Sequence, residues 1–337
     1  MASIRPGATF APKFTKFNIL QAPYKVVDGH EIRADLIIPK SLPAGRKAPV
    51  IARFHGGGMV RGDSIYADWF PQWLLDMAET YGAVIISANY RFLPEVTGID
   101  ILDDVDDFWD WIHSESLASL LKQQQQEEAT TFELDLDRII TAGDSAGGLL
   151  SVYLTLSQPD KIRAGTAAYP SLSWDNPPLL PAKKTENAAP ESLIDEYIAK
   201  INPGQVESSD LALQRVRLSM TITAHQRGCG LFFRGASELP PERHPERLYQ
   251  LARLNTPHAK LPCGGLVILH GTEDEAVLPE ASGRFVHKAR ETLQGRQGAD
   301  KVILALRPGG HGFDVSTPLH EEWLAEALRT AVDTWLE

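Results

Sequence analysis

The sequence predicts an α/β protein: a mostly parallel central sheet flanked by helices, with a helical cap inserted between two core strands. Three observations lead there. Short, continuously apolar segments alternate with segments of helical periodicity, as expected for strands buried on both faces between helices. A hairpin pattern precedes them, so the sheet begins antiparallel. From Trp174 to Leu261 the alternation stops, and only helical patterns broken by Pro and Gly remain.

Taken in order, "FNILQAPYKVVDGHEIRADLIIP" reads as the hairpin, turning at Asp28-Gly29 because an Asp-Gly pair accepts the positive φ of a two-residue turn. The core strands follow as "APVIARF" (Ala48 to Phe54), "AVIISANY" (Ala83 to Tyr90), "RIITA" (Arg138 to Ala142), "GTAAYP" (Gly165 to Pro170), "GLVILHG" (Gly265 to Gly271) and "KVILALRP" (Lys301 to Pro308). Between the second and third, Ile101, Leu102, Val105, Phe108, Trp109 and Ile112 recur at helical spacing, with Asp103, Asp104, Asp106, Asp107 and Asp110 opposite. Metal binding is the pointed reading of those aspartates; a solvated helix face is the simpler one and is preferred. "LLKQQQQEEATT" (Leu120 to Thr131) reads as an exposed helix end and loop. The long helical stretch exceeds what a structureless loop tolerates. The expected division is therefore a core of residues 1–172 and 262–337 and an inserted cap of residues 173–261. Ligands of such sheets bind beyond the carboxyl ends of the strands, so the cap covers that crevice.

Bulk properties narrow the function. A chain of 337 residues with 43% hydrophobic and 23% charged residues is ordinary for a globular protein with a large core. Its net charge of -11 disfavours nucleic acid and anionic membranes as partners. Cys229 and Cys263 are the only cysteines and have no CxxC spacing, which disfavours a disulfide framework or a zinc ribbon. The opening "MASIRPGATFAPKF" lacks an apolar signal core, and no stretch reaches the roughly 18 apolar residues of a membrane helix. A cytoplasmic protein is expected, with a homodimer left open. HExxH, P-loop and GxGxxG patterns are absent, so no metal and no organic cofactor is expected.

The chemistry centres on "RIITAGDSAGGLLSVYL", where Ser145 lies between Gly143 and Gly147 at a strand-to-helix junction. A G-x-S-x-G pattern arises by chance in about one chain in ten of this length, so context has to carry it. The context is right: a strand before, a helix after, and glycines that permit a strained turn holding the hydroxyl outward. A serine needs a base, and the base an orienting acid. In this arrangement they follow in the order serine, acid, histidine, in loops after later strands. "TEDEAV" after Gly271 supplies Asp274, preferred over Glu273 and Glu275 because it can turn back towards the sheet end. "GGHGF" after the last strand supplies His311, whose neighbours Gly309, Gly310 and Gly312 allow close approach. His270, at a strand end, reads as structural; His225, His244 and His258 fall in the cap, and His287 and His320 on helical patterns. Donors for a developing oxyanion are offered by the backbone of His55-Gly56-Gly57-Gly58 and by Ala146.

Together, "HGGGMVRGD", "NYRFLPE" (Asn89 to Glu95), "GDSAGG", "HGTEDEAV" and "GGHGF" resemble the hormone-sensitive lipase, or fold-3, group of α/β-hydrolases, from about Pro49 to the C-terminus apart from the insertion. The resemblance implies the α/β-hydrolase fold and cleavage of small to medium carboxylic esters through an acyl-enzyme. It implies Ser145 as nucleophile, Asp274 as acid, His311 as base, Gly56, Gly57 and Ala146 as oxyanion donors, and Asp144 as support for the elbow, beside His55 and Gly58. Two alternatives follow from the same resemblance: a non-hydrolytic step such as acyl transfer, elimination or cyclisation, and a ligand-binding receptor, which the presence of His311 disfavours. The chain departs from the group in its short N-terminal region, its long insertion and the extra "KQQQQEE". The glutamine run is similar to that of fungal intracellular members, some of which process natural products. Trp174, Phe232, Phe233 and Tyr249 read equally as pocket residues or as the cap's own small core.

Overall fold

The chain reverses at Asp28 and Gly29 with φ of 49° and 80°, the positive values that a tight hairpin turn demands and that Asp-Gly accepts. This turn joins the first long pair of strands in the computed structural model, which describes residues 4–127, 131–175 and 189–337. The strands are β1 (Ile4–Pro6), β2 (Phe17–Val27), β3 (His30–Pro39), β4 (Arg46–Phe54), β5 (Val84–Ala88), β6 (Phe132–Gly143), β7 (Ala164–Ala168), β8 (Leu266–Gly271) and β9 (Val302–Arg307). They form one nine-stranded sheet in the order β1-β2-β3-β5-β4-β6-β7-β8-β9. Pairing is antiparallel from β1 through β3 to β5 and parallel from there to β9. Every apolar segment read as a strand is one. The short β1, which buries little, carries no apolar pattern and was not expected.

The helices are α1 (Gln72–Tyr81), α2 (Gly98–Ile112), α3 (Glu115–Glu127), α4 (Ala146–Ser157), α5 (Ser192–Ile198), α6 (Val216–Ala224), α7 (Arg227–Phe232), α8 (Gln250–Arg253), α9 (Pro279–Thr292) and α10 (Glu322–Leu336). Alternate residues of a strand face opposite sides, and here both sides are apolar. On β4, Val50, Ala52 and Phe54 join the core shared with α2 and α4, while Ile51 joins the core shared with α1 and α10. This double burial explains the continuous hydrophobicity of the strands. Local signals set the helix ends: Thr97 and Asp100 form a capping box at the start of α2, and Gly82 ends α1 in the left-handed conformation.

Two expectations need correction. The aspartate face of α2 is only partly a solvated surface: Asp107 and Asp110 are exposed, but the other three are held by cations from elsewhere in the chain. Asp104 is fully buried, accepting from Arg91 Nη2 at 2.8 Å and Lys25 Nζ at 2.6 Å. Asp103 and Asp106 pair with Arg247 at 2.7 Å and 2.5 Å, and Asp103 also with Arg243 at 2.7 Å. These partners are remote in sequence, so local periodicity could not reveal that the segment between β7 and β8 covers this face. The glutamine run is the end of α3 but is exposed only in part: Lys122 and Gln123 are exposed, whereas Gln124 and Gln125 are buried. The Gln125 amide pairs with both the N–H and the carbonyl of Phe132. Residues 128–130 of that stretch, and 176–188 of the expected cap, lie outside the described residues.

Among the described residues, the segment between β7 and β8 contains α5 to α8 and no strand of the sheet. Its aromatic residues pack on one another: ring centroids are 5.1 Å apart for Trp174 and Phe232, 5.1 Å for Phe232 and Phe233, and 4.9 Å for Phe233 and Tyr249. Among the described residues no group of His, Cys, Asp and Glu could hold a metal ion, and no helix is long and apolar enough to cross a membrane.

Candidate active site

The parallel strands bring their carboxyl ends to one edge of the sheet. Register aligns them in pairs: Phe54 of β4 lies beside Gly143 of β6, and Gly271 of β8 beside Arg307 of β9. The loops that follow carry the glycine run, Ser145, Asp274 and His311. Each glycine of the serine motif meets a backbone too closely to carry a side chain. A Cβ on Gly143 would stand 2.1 Å from the Gly147 carbonyl oxygen, and one on Gly147 would stand 2.2 Å from that of Phe54. The helix is thus pressed onto the strand ends, and Ser145 takes up the turn at φ 56° and ψ -117°, a strained conformation for a residue with a side chain.

That turn aims the hydroxyl at a histidine. Ser145 Oγ lies 3.0 Å from His311 Nε2, and His311 Nδ1 lies 2.8 Å from Asp274 Oδ2. A carboxylate only accepts, so Nδ1 carries the proton and Nε2 is left to accept from the serine. The Tyr169 ring, 4.5 Å away, packs against the imidazole. Glu273 and Glu275 are exposed, whereas Asp274 is buried. Burial pushes the Asp274 carboxyl up, but hydrogen bonds from His270 and His311 and from the Val277 N–H outweigh it and hold it well below the usual range. The Ala276 and Val277 N–H groups donate to Oδ1 at 2.9 Å and 3.0 Å.

His270 is the hydrogen-bonded structural histidine expected, and it stands beside the acid. It is fully buried, and its Nε2 lies 2.9 Å from the Val277 carbonyl oxygen and 3.3 Å from Asp274 Oδ2. Its Nδ1 lies 2.8 Å from Ser282 Oγ. The sequence signal was its place in "HGTED", four residues before the acid.

The glycine run behaves differently from expectation. The N–H of Gly56 donates to Asp144 Oδ2 at 2.9 Å, so it is already committed and is not available to a substrate. Among the described residues, the N–H groups of Gly57, Gly58 and Ala146 make no hydrogen bond. The other oxygen of Asp144 meets a partner that sequence reasoning missed: Arg53, fully buried, donates from Nη2 to Oδ1 at 2.7 Å. Burial raises the pKa of Asp144, and the Arg53 charge opposes it. Arg53 also lies 4.0 Å over the Phe70 ring. His55 sits stacked on Tyr90 at 4.6 Å, with Nδ1 2.7 Å from the Gly56 carbonyl oxygen. Burial pushes its imidazole down to about 4, so it is a neutral strut of the loop.

Residues of "NYRFLPE" brace the same loop. Asn89 Oδ1 accepts from the Ser64 N–H at 2.9 Å, and Tyr90 donates to the His55 carbonyl at 2.7 Å. Arg215, ahead of α6, reaches Glu95 at 2.8 Å and the Val60 and Leu93 carbonyls at 2.6 Å and 2.9 Å. Over the serine opens a cleft of about 1720 Å³, lined by Gly57, Gly58, Tyr169, Trp174 and Met220 besides Ser145 and His311. Trp174 therefore belongs both to the aromatic cluster and to the cleft wall.

Comparison with known proteins agrees with this fold. A family described as having the alpha/beta hydrolase fold matches residues 51–217. Over 329 residues the chain is 32% identical to "Probable carboxylesterase M8" of a Phoma species, covering 93% of this chain and 94% of that one. The chain belongs to the α/β-hydrolase fold-3 family. A second member, "Probable carboxylesterase clz11" of Cochliobolus lunatus, is 31% identical over 61% of this chain and 93% of its own. Among solved α/β-hydrolases, a hyperthermophilic esterase from Pyrobaculum calidifontis aligns with a TM-score of 0.55 at 18% identity, covering 94% of this chain and 85% of that one. Carboxyl esterase 2 of the fungus Tuber melanosporum aligns at 0.53 and 16% identity, covering 95% and 86%. Likeness at that identity speaks for the fold alone.

Proposed function

We propose that the protein is a carboxylesterase-type serine hydrolase with Ser145 as nucleophile, His311 as general base and acid, and Asp274 as the orienting acid. The observation that carries this reading is the continuous chain of hydrogen bonds from Ser145 Oγ to His311 Nε2 at 3.0 Å and from His311 Nδ1 to Asp274 Oδ2 at 2.8 Å. The carboxylesterase relatives support ester cleavage as the reaction.

His311 takes the proton as Ser145 Oγ attacks the ester carbonyl, and Asp274 stabilises the imidazolium that forms. The tetrahedral oxyanion is met by the N–H groups of Gly57, Gly58 and Ala146; Gly58 replaces Gly56 in the expected set because Asp144 holds the Gly56 N–H. His311 returns its proton to the departing alcohol oxygen, leaving an acyl-enzyme. Water, deprotonated by His311 in turn, cleaves it and restores Ser145. The segment of residues 173–261 acts as the cap, and the substrates are small-molecule esters with small to medium acyl groups. The reading includes a cytoplasmic site of action. The test is hydrolysis of p-nitrophenyl butyrate: Ser145→Ala, shown folded by circular dichroism, is expected to lose at least a thousandfold in kcat. Retention of wild-type kcat by that variant overturns the reading.

A further inference from the structure

The arginines around the site are nearly all matched to acids. Arg33 meets Asp35 and Asp63, Arg53 meets Asp144, Arg91 meets Asp104, and Arg215 meets Glu95. Arg61 is different. It lies in the loop after β4, four residues beyond Gly57, and lines the cleft over Ser145. A Cβ placed on Gly57 would stand 3.4 Å from Arg61 Cγ, so the arginine stem runs beside the backbone assigned to the oxyanion. Among the described residues its side chain makes no ion pair, and its buried Nε has no hydrogen-bond partner. Asp210, an acid whose field reaches it, is engaged elsewhere, accepting the N–H groups of Gln214 and Arg215 at 2.7 Å and 2.9 Å.

We propose that Arg61 is a carboxylate-recognising residue of the cleft, and that the preferred substrates are esters bearing an ionised carboxylate near the scissile ester. The proposal rests on the esterase reading and deepens it. A buried N–H without a partner has lost its hydration with nothing in return, a cost that a ligand acceptor removes. The guanidinium lies 5.0 Å over the Trp69 ring. Its face is thereby covered, while its edge, which bears the donors, stays free for the two-pronged contact a carboxylate offers. Burial lowers the Arg61 pKa, but arginine stays charged at any working pH. Arg217 and Arg284 line the same cleft, also without an ion pair among the described residues, and Glu275 and Glu280 are exposed on its lining. Three arginines and four acids, Asp144 and Asp274 among them, thus line the cleft, and it is Arg61 rather than net charge that marks the carboxylate site.

The carboxylate can sit on either side of the ester, and paired substrates separate the two. Mono-p-nitrophenyl glutarate is compared with p-nitrophenyl valerate for the acyl side, and 4-carboxyphenyl butyrate with 4-carbamoylphenyl butyrate for the alcohol side. In the wild type, one of the two charged-to-neutral ratios of kcat/KM is expected to exceed tenfold. Arg61→Gln should bring that ratio down at least tenfold, and Arg61→Lys should keep part of it. The amount of active enzyme cancels in the ratio, so partial misfolding does not obscure the result. Hydrolysis of the neutral esters with both ratios near or below one overturns the proposal alone. So does a ratio that survives Arg61→Gln but collapses in Arg217→Gln or Arg284→Gln. Failure to hydrolyse any of the four esters overturns the esterase reading and this proposal with it.

Discussion

The backbone N–H of Gly56 donates to Asp144 Oδ2 across 2.9 Å, while the other oxygen of that carboxylate takes Arg53 Nη2 at 2.7 Å. One buried side chain therefore ties the glycine loop after β4 to the serine turn after β6, and sets the spacing between nucleophile and oxyanion donors. Removing it leaves Arg53 buried and unpaired, a loss of about 3–5 kcal/mol. Asp144→Ala is expected to show that loss in urea unfolding, together with a fall in kcat. A change under about 1 kcal/mol would mean that the pair does not hold the loop.

Gly57 and Gly58 both have positive φ, at 108° and 67°, but only Gly57 is crowded. A Cβ there would stand 2.0 Å from the Arg61 carbonyl oxygen, whereas at Gly58 its nearest neighbour would be Ser219 Oγ at 3.9 Å. Gly57→Ala must therefore shift the loop, and should lower kcat on p-nitrophenyl butyrate by about a hundred- to a thousandfold. Gly58→Ala should cost distinctly less. Equal effects of the two would contradict the assignment of the crowded position.

His270 Nε2 donates to the Val277 carbonyl at 2.9 Å and lies 3.3 Å from the same Asp274 oxygen that receives His311. Leaving a buried polar group without its partner costs about 1–3 kcal/mol. His270→Ala should accordingly lower kcat/KM by about tenfold or more, with recovery in His270→Gln, which keeps an N–H donor. Steady-state kinetics of the two variants, compared at matched folded fractions, decides the matter; unchanged kcat/KM in His270→Ala removes His270 from the site.

Asp314, three residues beyond His311, is fully buried; Trp73 Nε1 donates to its Oδ2 at 2.9 Å and its Oδ1 has no partner. Burial, with the Asp144 charge adding to it, pushes the carboxyl up to about 6. A raised carboxyl pKa favours the unfolded state once that state ionises. The cost is absent below the unfolded value near 4, grows up to about 6, and is constant above. Asp314→Asn cannot ionise. Its stability relative to the wild type should therefore rise by up to about 3 kcal/mol between pH 4 and pH 7. Urea unfolding at the two pH values measures this, and a flat difference would contradict it.

Legibility in the sequence followed the range of the interactions. The parallel strands were readable because each is apolar on both faces, a property of a few adjacent residues. Ser145, Asp274 and His311 were readable because each sits in a short loop whose glycines or strand-end position mark it. What escaped were pairings between distant segments. Nothing near Gly56 announces that Asp144, 88 residues on, takes its N–H. Nothing near Asp104 announces Lys25 and Arg91, and nothing near Asp103 announces Arg243 and Arg247. A charge on an amphipathic helix reads as solvated until the opposing segment is in place. Arg53, an arginine inside an otherwise apolar strand, is a local irregularity from which a buried acid could have been inferred.

The account turns on a serine made reactive by its histidine, and covalent labelling tests that most directly. The wild type treated with a fluorophosphonate should gain one adduct by intact-mass spectrometry, mapped to the peptide carrying Ser145, with the labelling rate falling sharply in His311→Ala. An adduct on another residue, or labelling of Ser145 at the same rate without His311, would contradict the account.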